Sequence, residues 1–103
     1  MAKYELTKEA LADLEDIWKY TLDTWSEKQA DTYYEILIRT FIDLTAHPEK
    51  GKPYDEVLQG LMRYTVRKHM ILYYILDMND ILIIRILHRA MDPRRHVSRG
   101  PRN

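Results

Sequence analysis

The hydrophobic period changes after residue 60, and that change calls for helices followed by strands. Ala10, Leu11, Leu14, Ile17, Trp18, Thr21, Leu22 and Trp25 recur at three- and four-residue steps, the spacing that lines up side chains on one side of an α-helix. Asp13, Glu15, Asp16, Lys19 and Asp23 fall outside that stripe. Thr7 precedes it and is placed to cap the first turn, because its hydroxyl can accept a free backbone N–H there. Ser26 then opens a second helix with the capping-box pattern "SEKQ", in which Ser26 bonds forward and Gln29 back. Ala30, Tyr33, Tyr34, Leu37, Ile38, Phe41, Leu44 and Thr45 keep helical spacing as far as His47-Pro48, where the residue before proline leaves the α region. The near absence of a linker makes the pair an antiparallel hairpin.

From residue 61 onward the period is two, or the run is apolar throughout. "LMRYTVR" alternates, "MILYYIL" is apolar on both sides as a central strand would be, and "ILIIRILH" follows a turn at "DMND". Their proximity in sequence predicts an antiparallel meander. "KYELT" at the start reads as a short first strand with Tyr4 and Leu6 on one side. Residues 47–60 carry Pro48, Gly51, Pro53 and Gly60 and read as a loop. The expectation is an α+β fold of order β-α-α-β-β-β, with the helical hairpin packed on a small, largely antiparallel sheet. A chain of 103 residues without internal repeats suits one domain over 1–103, with about 93–103 expected as a mobile basic tail or helical stub.

Charge follows the same division. Residues 1–60 hold 7 Lys/Arg against 13 Asp/Glu, and residues 61–103 hold 9 against 3, so a net of −6 faces a net of +6. The second part suits nucleic acid or an acidic protein. There is no cysteine, which excludes disulfides, thiolate nucleophiles and Cys-based zinc sites. The four histidines, at 47, 69, 88 and 96, have no tight ligand spacing, and neither a metal nor a cofactor is expected. The polar start "MAKYELTKEA" lacks a signal-peptide core, and the apolar runs are too short to span a bilayer. A soluble, cytoplasmic protein without a membrane partner is expected.

Four segments in register, "ADLEDIWKYTLDTW", "HPEKGKPYDEV", "GLMRYTVRKHMILYY" and "IIRILHRAMD", cover nearly the whole chain. Together they resemble the ParE-type toxins of the RelE/ParE toxin–antitoxin superfamily. The resemblance implies a helical hairpin on a small sheet. It also implies a toxin that binds and inhibits DNA gyrase without being an enzyme, and a ParD-like antitoxin that neutralises it. Operator DNA would be met only indirectly, through that antitoxin. Two rivals stand beside this reading: a ribosome-dependent messenger endoribonuclease of the RelE type, and a non-toxic member kept for antitoxin binding or operon regulation.

The residues bear on the choice. RNA cleavage through the 2′-hydroxyl needs a base, an acid and stabilisation of a charged phosphorane-like state. Arg63, Arg67, Arg85, His88 and Arg89 are of suitable type, but no acid lies between Glu56 and Asp77. On a regular last strand Arg85 and His88 would point to opposite sides. No catalytic residue is therefore assigned. His88 reads mainly as a strand-end residue bonded to a backbone group or to Asp92, and Arg85 as the partner of an acid on the hairpin. The candidates for target contact are Arg63, Arg67, Lys68, His88, Arg89, Arg94 and Arg95, since clustered guanidinium groups suit phosphates and carboxylates. Tyr20 and Ile36, apolar residues off the helical stripes, are the candidates for antitoxin contact.

Overall fold

A computed structural model describes residues 2–97. It has the α+β architecture expected: β1 (Tyr4–Leu6), α1 (Lys8–Thr24), α2 (Glu27–Ala46), β2 (Lys52–Pro53), β3 (Met62–Val66), β4 (His69–Ile75) and β5 (Ile81–His88). The sheet order is β1-β5-β4-β3-β2. The three long strands form the predicted meander. Two pairings were not foreseen: β1 lies parallel to β5, and the two-residue β2, inside the predicted loop, lies antiparallel to β3.

Both helix starts follow their cap residues. Thr7 Oγ1 accepts from the Ala10 N–H at 3.1 Å, and Ser26 Oγ accepts from the Gln29 N–H at 3.1 Å. Thr7 has a second task, because its hydroxyl donates to the Ile84 carbonyl and its N–H to that of Ile83. The residue that starts α1 thus also ties it to β5. Between the helices, Trp18 Nε1 donates to Asp31 Oδ1 at 3.2 Å.

The main core lies between the hairpin and one side of the sheet, with Ala10, Leu14, Leu37 and Phe41 against Ile71, Tyr73, Ile81, Ile83 and Ile86. The far side of the sheet has a smaller core of Leu61, Met70, Leu72 and Leu87, covered by Tyr54, Val57 and Leu58 from the loop and by Val97. Burial on both sides explains why β4 is apolar throughout.

The helical stripes need several corrections, among them Tyr34, which sits in the predicted second stripe but is 42% exposed. Leu11 and Trp25 sit in the predicted stripe but are 46% and 65% exposed. Asp13, outside it, has a side chain only 14% exposed. The sheet meets α1 along the line Ala10, Leu14, Ile17, and Asp13 borders that line. Ile36, outside the second stripe, is half-buried, whereas Tyr20 is exposed as expected.

Within the stretch 93–103, expected as a tail or stub, Pro93–Arg95 form a single 3-10 turn. Pro93 is buried and Val97 joins the second core. Residues 98–103, including Arg99 and Arg102, lie outside the described residues.

Candidate functional site

β5 contains a bulge. Ile83 lies opposite Tyr73 and Arg85 opposite Leu72, so Ile84 is an extra residue. The bulge breaks the parity expected of a regular strand: Ile81, Ile83 and Ile86 all enter the main core, whereas Ile84 and Leu87 meet the second. From Arg85 to His88 the ladder is unbroken, so these two residues keep the opposite parity expected of them. Arg85 nonetheless bonds Asp13 of α1, and His88 meets the His69 ring.

The acid that Arg85 requires is Asp13 of α1. Arg85 Nε and Nη2 donate to its two carboxylate oxygens at 2.7 and 2.9 Å, a forked pair. The Ile86 N–H donates to the same carboxylate at 2.9 Å. β1 ends at Leu6, opposite Ile83, so Asp13 satisfies a backbone donor on β5 that a longer β1 would have met. A third donor of Arg85, Nη1, bonds the His96 carbonyl and holds the C-terminal turn to the strand. Three of the five N–H donors of the Arg85 guanidinium are thus engaged in structure.

The β3–β4 turn is two residues long, Arg67 and Lys68, between the paired Val66 and His69. Arg67 sits at φ +56°, a left-handed conformation that few side chains adopt cheaply. His69 lies directly opposite His88, and the ladder continues with the Arg89 N–H donating to the Lys68 carbonyl at 2.8 Å. This backbone pairing brings Arg67, Lys68, His88 and Arg89 to one end of the sheet, all four exposed. Arg94 and Arg95 are exposed on the turn that Arg85 holds. Arg63 is placed apart, on β3, with its guanidinium 4.4 Å above the Tyr54 ring that covers the second core.

Beneath this end lies a chain of polar rings. Tyr33 of α2 hydrogen-bonds His69 Nδ1 at 2.7 Å, and the Lys68 N–H donates to the same Tyr33 oxygen at 3.4 Å. The His69 and His88 rings meet edge-on, with centroids 5.5 Å apart. Burial pushes the His69 pKa down to about 4, with the neighbouring His88 and Lys68 acting in the same direction and Asp13 opposing them. His69 is thus neutral at physiological pH. Burial likewise raises the Tyr33 pKa, against the Lys68 N–H bond and the Arg67 charge. His88 Nδ1 accepts the Ala90 N–H at 3.1 Å, the strand-end role expected of it with a backbone partner. Asp92 instead caps the following turn, accepting from the Arg94 N–H.

Asp13, Tyr33 and His69 were not singled out from the sequence. The signals were weak. Asp13 looked like one more surface acid, and Tyr33 like one more stripe aromatic. The His69–His88 pairing depends on the bulge. Among the described residues, no group of three or more His, Cys, Asp or Glu comes together as metal ligands would, and no helix is long and apolar enough to cross a membrane.

Comparison with known proteins identifies the lineage. Residues 4–93 match the family model described as ParE toxin of type II toxin–antitoxin system, parDE. The chain is 34% identical over 97 residues to Toxin ParE1 of Caulobacter vibrioides, covering 94% of this chain and 99% of that one. It is 31% identical over 96 residues to Toxin ParE1 of Mycobacterium tuberculosis, covering 93% and 98%. Its fold is similar to that of the chromosomal ParDE system from P. aeruginosa (TM-score 0.72, 18% identity, 85% of this chain and 96% of that one). It is also similar to the RelBE2 toxin–antitoxin complex from Mycobacterium tuberculosis (TM-score 0.67, 22% identity, 85% and 98%). The family match over almost the whole chain, the two ParE1 relatives and the hairpin-on-sheet fold agree: this chain belongs to the ParE toxin family of type II toxin–antitoxin systems.

Proposed function

We propose that this ParE-family toxin inhibits DNA gyrase by binding to it rather than by catalysis, in the cytoplasm, and that a ParD-like antitoxin neutralises it. The observation that carries the non-catalytic part is the engagement of Arg85, His69 and His88. Arg85 is held by Asp13 and the His96 carbonyl. His69 is neutral and bonded to Tyr33, and His88 Nδ1 is occupied by the Ala90 N–H. A ribonuclease would need free groups of these kinds to move protons. What stays free at the sheet end is charge, from Arg67, Lys68 and Arg89, which serves binding.

The antitoxin is proposed to cover the helical hairpin, with Tyr20 of α1, 68% exposed, as the stronger anchor and the half-buried Ile36 of α2 as the weaker. The acidic helices suit a basic antitoxin segment. The operator sequence is recognised through the antitoxin.

The test is a parallel assay of the purified toxin, freed of antitoxin, in gyrase supercoiling and in a translation extract. Loss of supercoiling with intact message supports the reading. Message cleavage with normal supercoiling supports the endoribonuclease instead, and silence in both points to a non-toxic regulatory member.

A further inference from the structure

The cationic end of the sheet has a composition of its own. Among the described residues the ion pairs are His47–Glu49, Lys50–Asp43, Arg85–Asp13 and Arg95–Asp92. Arg67, Lys68, Arg89 and Arg94 therefore have no acidic partner within 4.0 Å there. The first three are fixed to one another by the tight turn and by the Arg89–Lys68 backbone bond.

The exposed apolar side chains are elsewhere. Leu11, Tyr20, Trp25, Tyr34 and Ile42 lie on or beside the helices, and Ile75, Leu76 and Met78 lie at the β4–β5 turn. That turn is at the other end of β4, about 20 Å from His69 at the usual rise of a strand. Only Met91, 36% exposed, is near the cations in sequence. A protein-binding surface carries an apolar or aromatic centre within a polar rim; among the described residues, this end offers only Met91 and the His88 ring. A surface for single strands or RNA carries several exposed aromatic rings on which bases stack; here the one exposed imidazole, His88, packs edge-on against His69, and the exposed Tyr and Trp rings are on the helical side. What remains is chiefly a set of cations, mostly guanidinium, without a tyrosine or tryptophan platform. That composition fits the phosphates of a duplex.

We propose that the end formed by Arg67, Lys68 and Arg89, extended by Arg94, binds the phosphodiester backbone of double-stranded DNA without reading its sequence. The inference rests on the gyrase reading for its biological setting, since gyrase presents duplex DNA beside protein, but the binding itself needs no gyrase. Three to four phosphate contacts give a plot of log affinity against log salt with a slope of about −3, and each contact removed flattens that slope by about 1.

The test is fluorescence anisotropy of a labelled mixed-sequence duplex titrated with the full chain at several salt concentrations from about 50 mM upward. Variants Arg67→Asn, Lys68→Ala and Arg89→Ala are measured singly and together; asparagine is chosen at 67 because it tolerates positive φ. The expected result is saturable binding, a slope of about −3, near-complete loss in the triple variant with its melting temperature retained, and unchanged binding in Lys19→Ala on α1. Binding absent at the lowest salt, or present but unaltered in the triple variant, overturns the proposal. So does a single strand bound more tightly than the duplex. A polyglutamate competitor that displaces duplex at equal charge concentration would assign the end to an acidic protein surface and also overturn it. Absence of duplex binding alongside inhibited supercoiling would end this inference and leave the gyrase reading intact; duplex binding with unaffected supercoiling would do the reverse.

Discussion

Replacing Asp13 with alanine should cost about 3 kcal/mol, although a reading of α1 alone would class it with the surface acids. The carboxylate accepts the forked pair from Arg85 and the N–H of Ile86. Its side chain is 14% exposed and that of Arg85 22%. An orphaned backbone N–H costs about 1–3 kcal/mol, and breaking one side of a buried ion pair costs about 3–5 kcal/mol. These losses overlap, and the second is reduced here because Arg85 keeps the His96 carbonyl and some contact with water. A net of about 3 kcal/mol is a large share of the roughly 5–15 kcal/mol that stabilises a domain. It corresponds to a fall in melting temperature of about 12–24 °C.

Asp13→Asn keeps an acceptor for the Ile86 N–H and should lose about half as much. Urea denaturation followed by circular dichroism measures both, with the slope m unchanged if the native fold is kept. A double-mutant cycle with Arg85→Leu should return a coupling of at least about 1.5 kcal/mol. A loss below about 0.5 kcal/mol for Asp13→Ala, the usual range for a surface substitution, would refute the reasoning.

Three further outcomes follow from other contacts. In Gly51→Ala the new Cβ would stand 2.8 Å from the Arg63 carbonyl oxygen and closer still to Tyr73 Oη, which donates to the Pro48 carbonyl at 2.7 Å; a loss of about 1–3 kcal/mol is expected on urea denaturation, partly recovered in the double variant with Tyr73→Phe. Since the folded pKa of His69 is about 4 against 6.5 in the open chain, its contribution is complete above about pH 6.5 and is lost as pH falls from there toward 4. For a half-buried ring the loss amounts to about 1–2 kcal/mol after allowing for solvent screening, and the difference in melting temperature between neutral and acid pH should shrink in His69→Gln; an unchanged difference would rule His69 out. Tyr20→Glu should weaken the antitoxin complex in calorimetry and Ile36→Glu should do so less, with unchanged affinity for both removing the helical hairpin as the antitoxin surface.

How much of this was legible in the sequence depended on whether the cause was local. The helices and their caps were, because a period of three to four residues and a Thr7 or Ser26 at the start act within a few residues. The meander was too, since β3, β4 and β5 are joined by short turns. The parallel pairing of β1 with β5 joins residues 77 apart (Tyr4 to Ile81) and leaves no pattern in either segment. β2 is two residues long and includes a proline, so it carries no alternation. The bulge was hidden because "ILIIRIL" is apolar at nearly every position and has no alternation to interrupt, and with it went the register of Arg85 to His88 against β4. The need of Arg85 for a hairpin acid was readable from its apolar strand. That the acid is Asp13 depends on where β1 stops. Arg67, Lys68, His88 and Arg89 were all named as candidates from the sequence, but that they share one end depends on turn and ladder geometry, which leaves Arg63 on Tyr54.

Whether the toxin acts by binding gyrase is decided by titrating a fixed amount of gyrase with purified toxin in a supercoiling assay, then adding the cognate antitoxin. Inhibition should saturate at a fixed ratio of toxin to gyrase and be reversed by antitoxin, with intact message in a parallel translation extract. Supercoiling that stays normal at a large excess of toxin while message is cut would contradict action through gyrase.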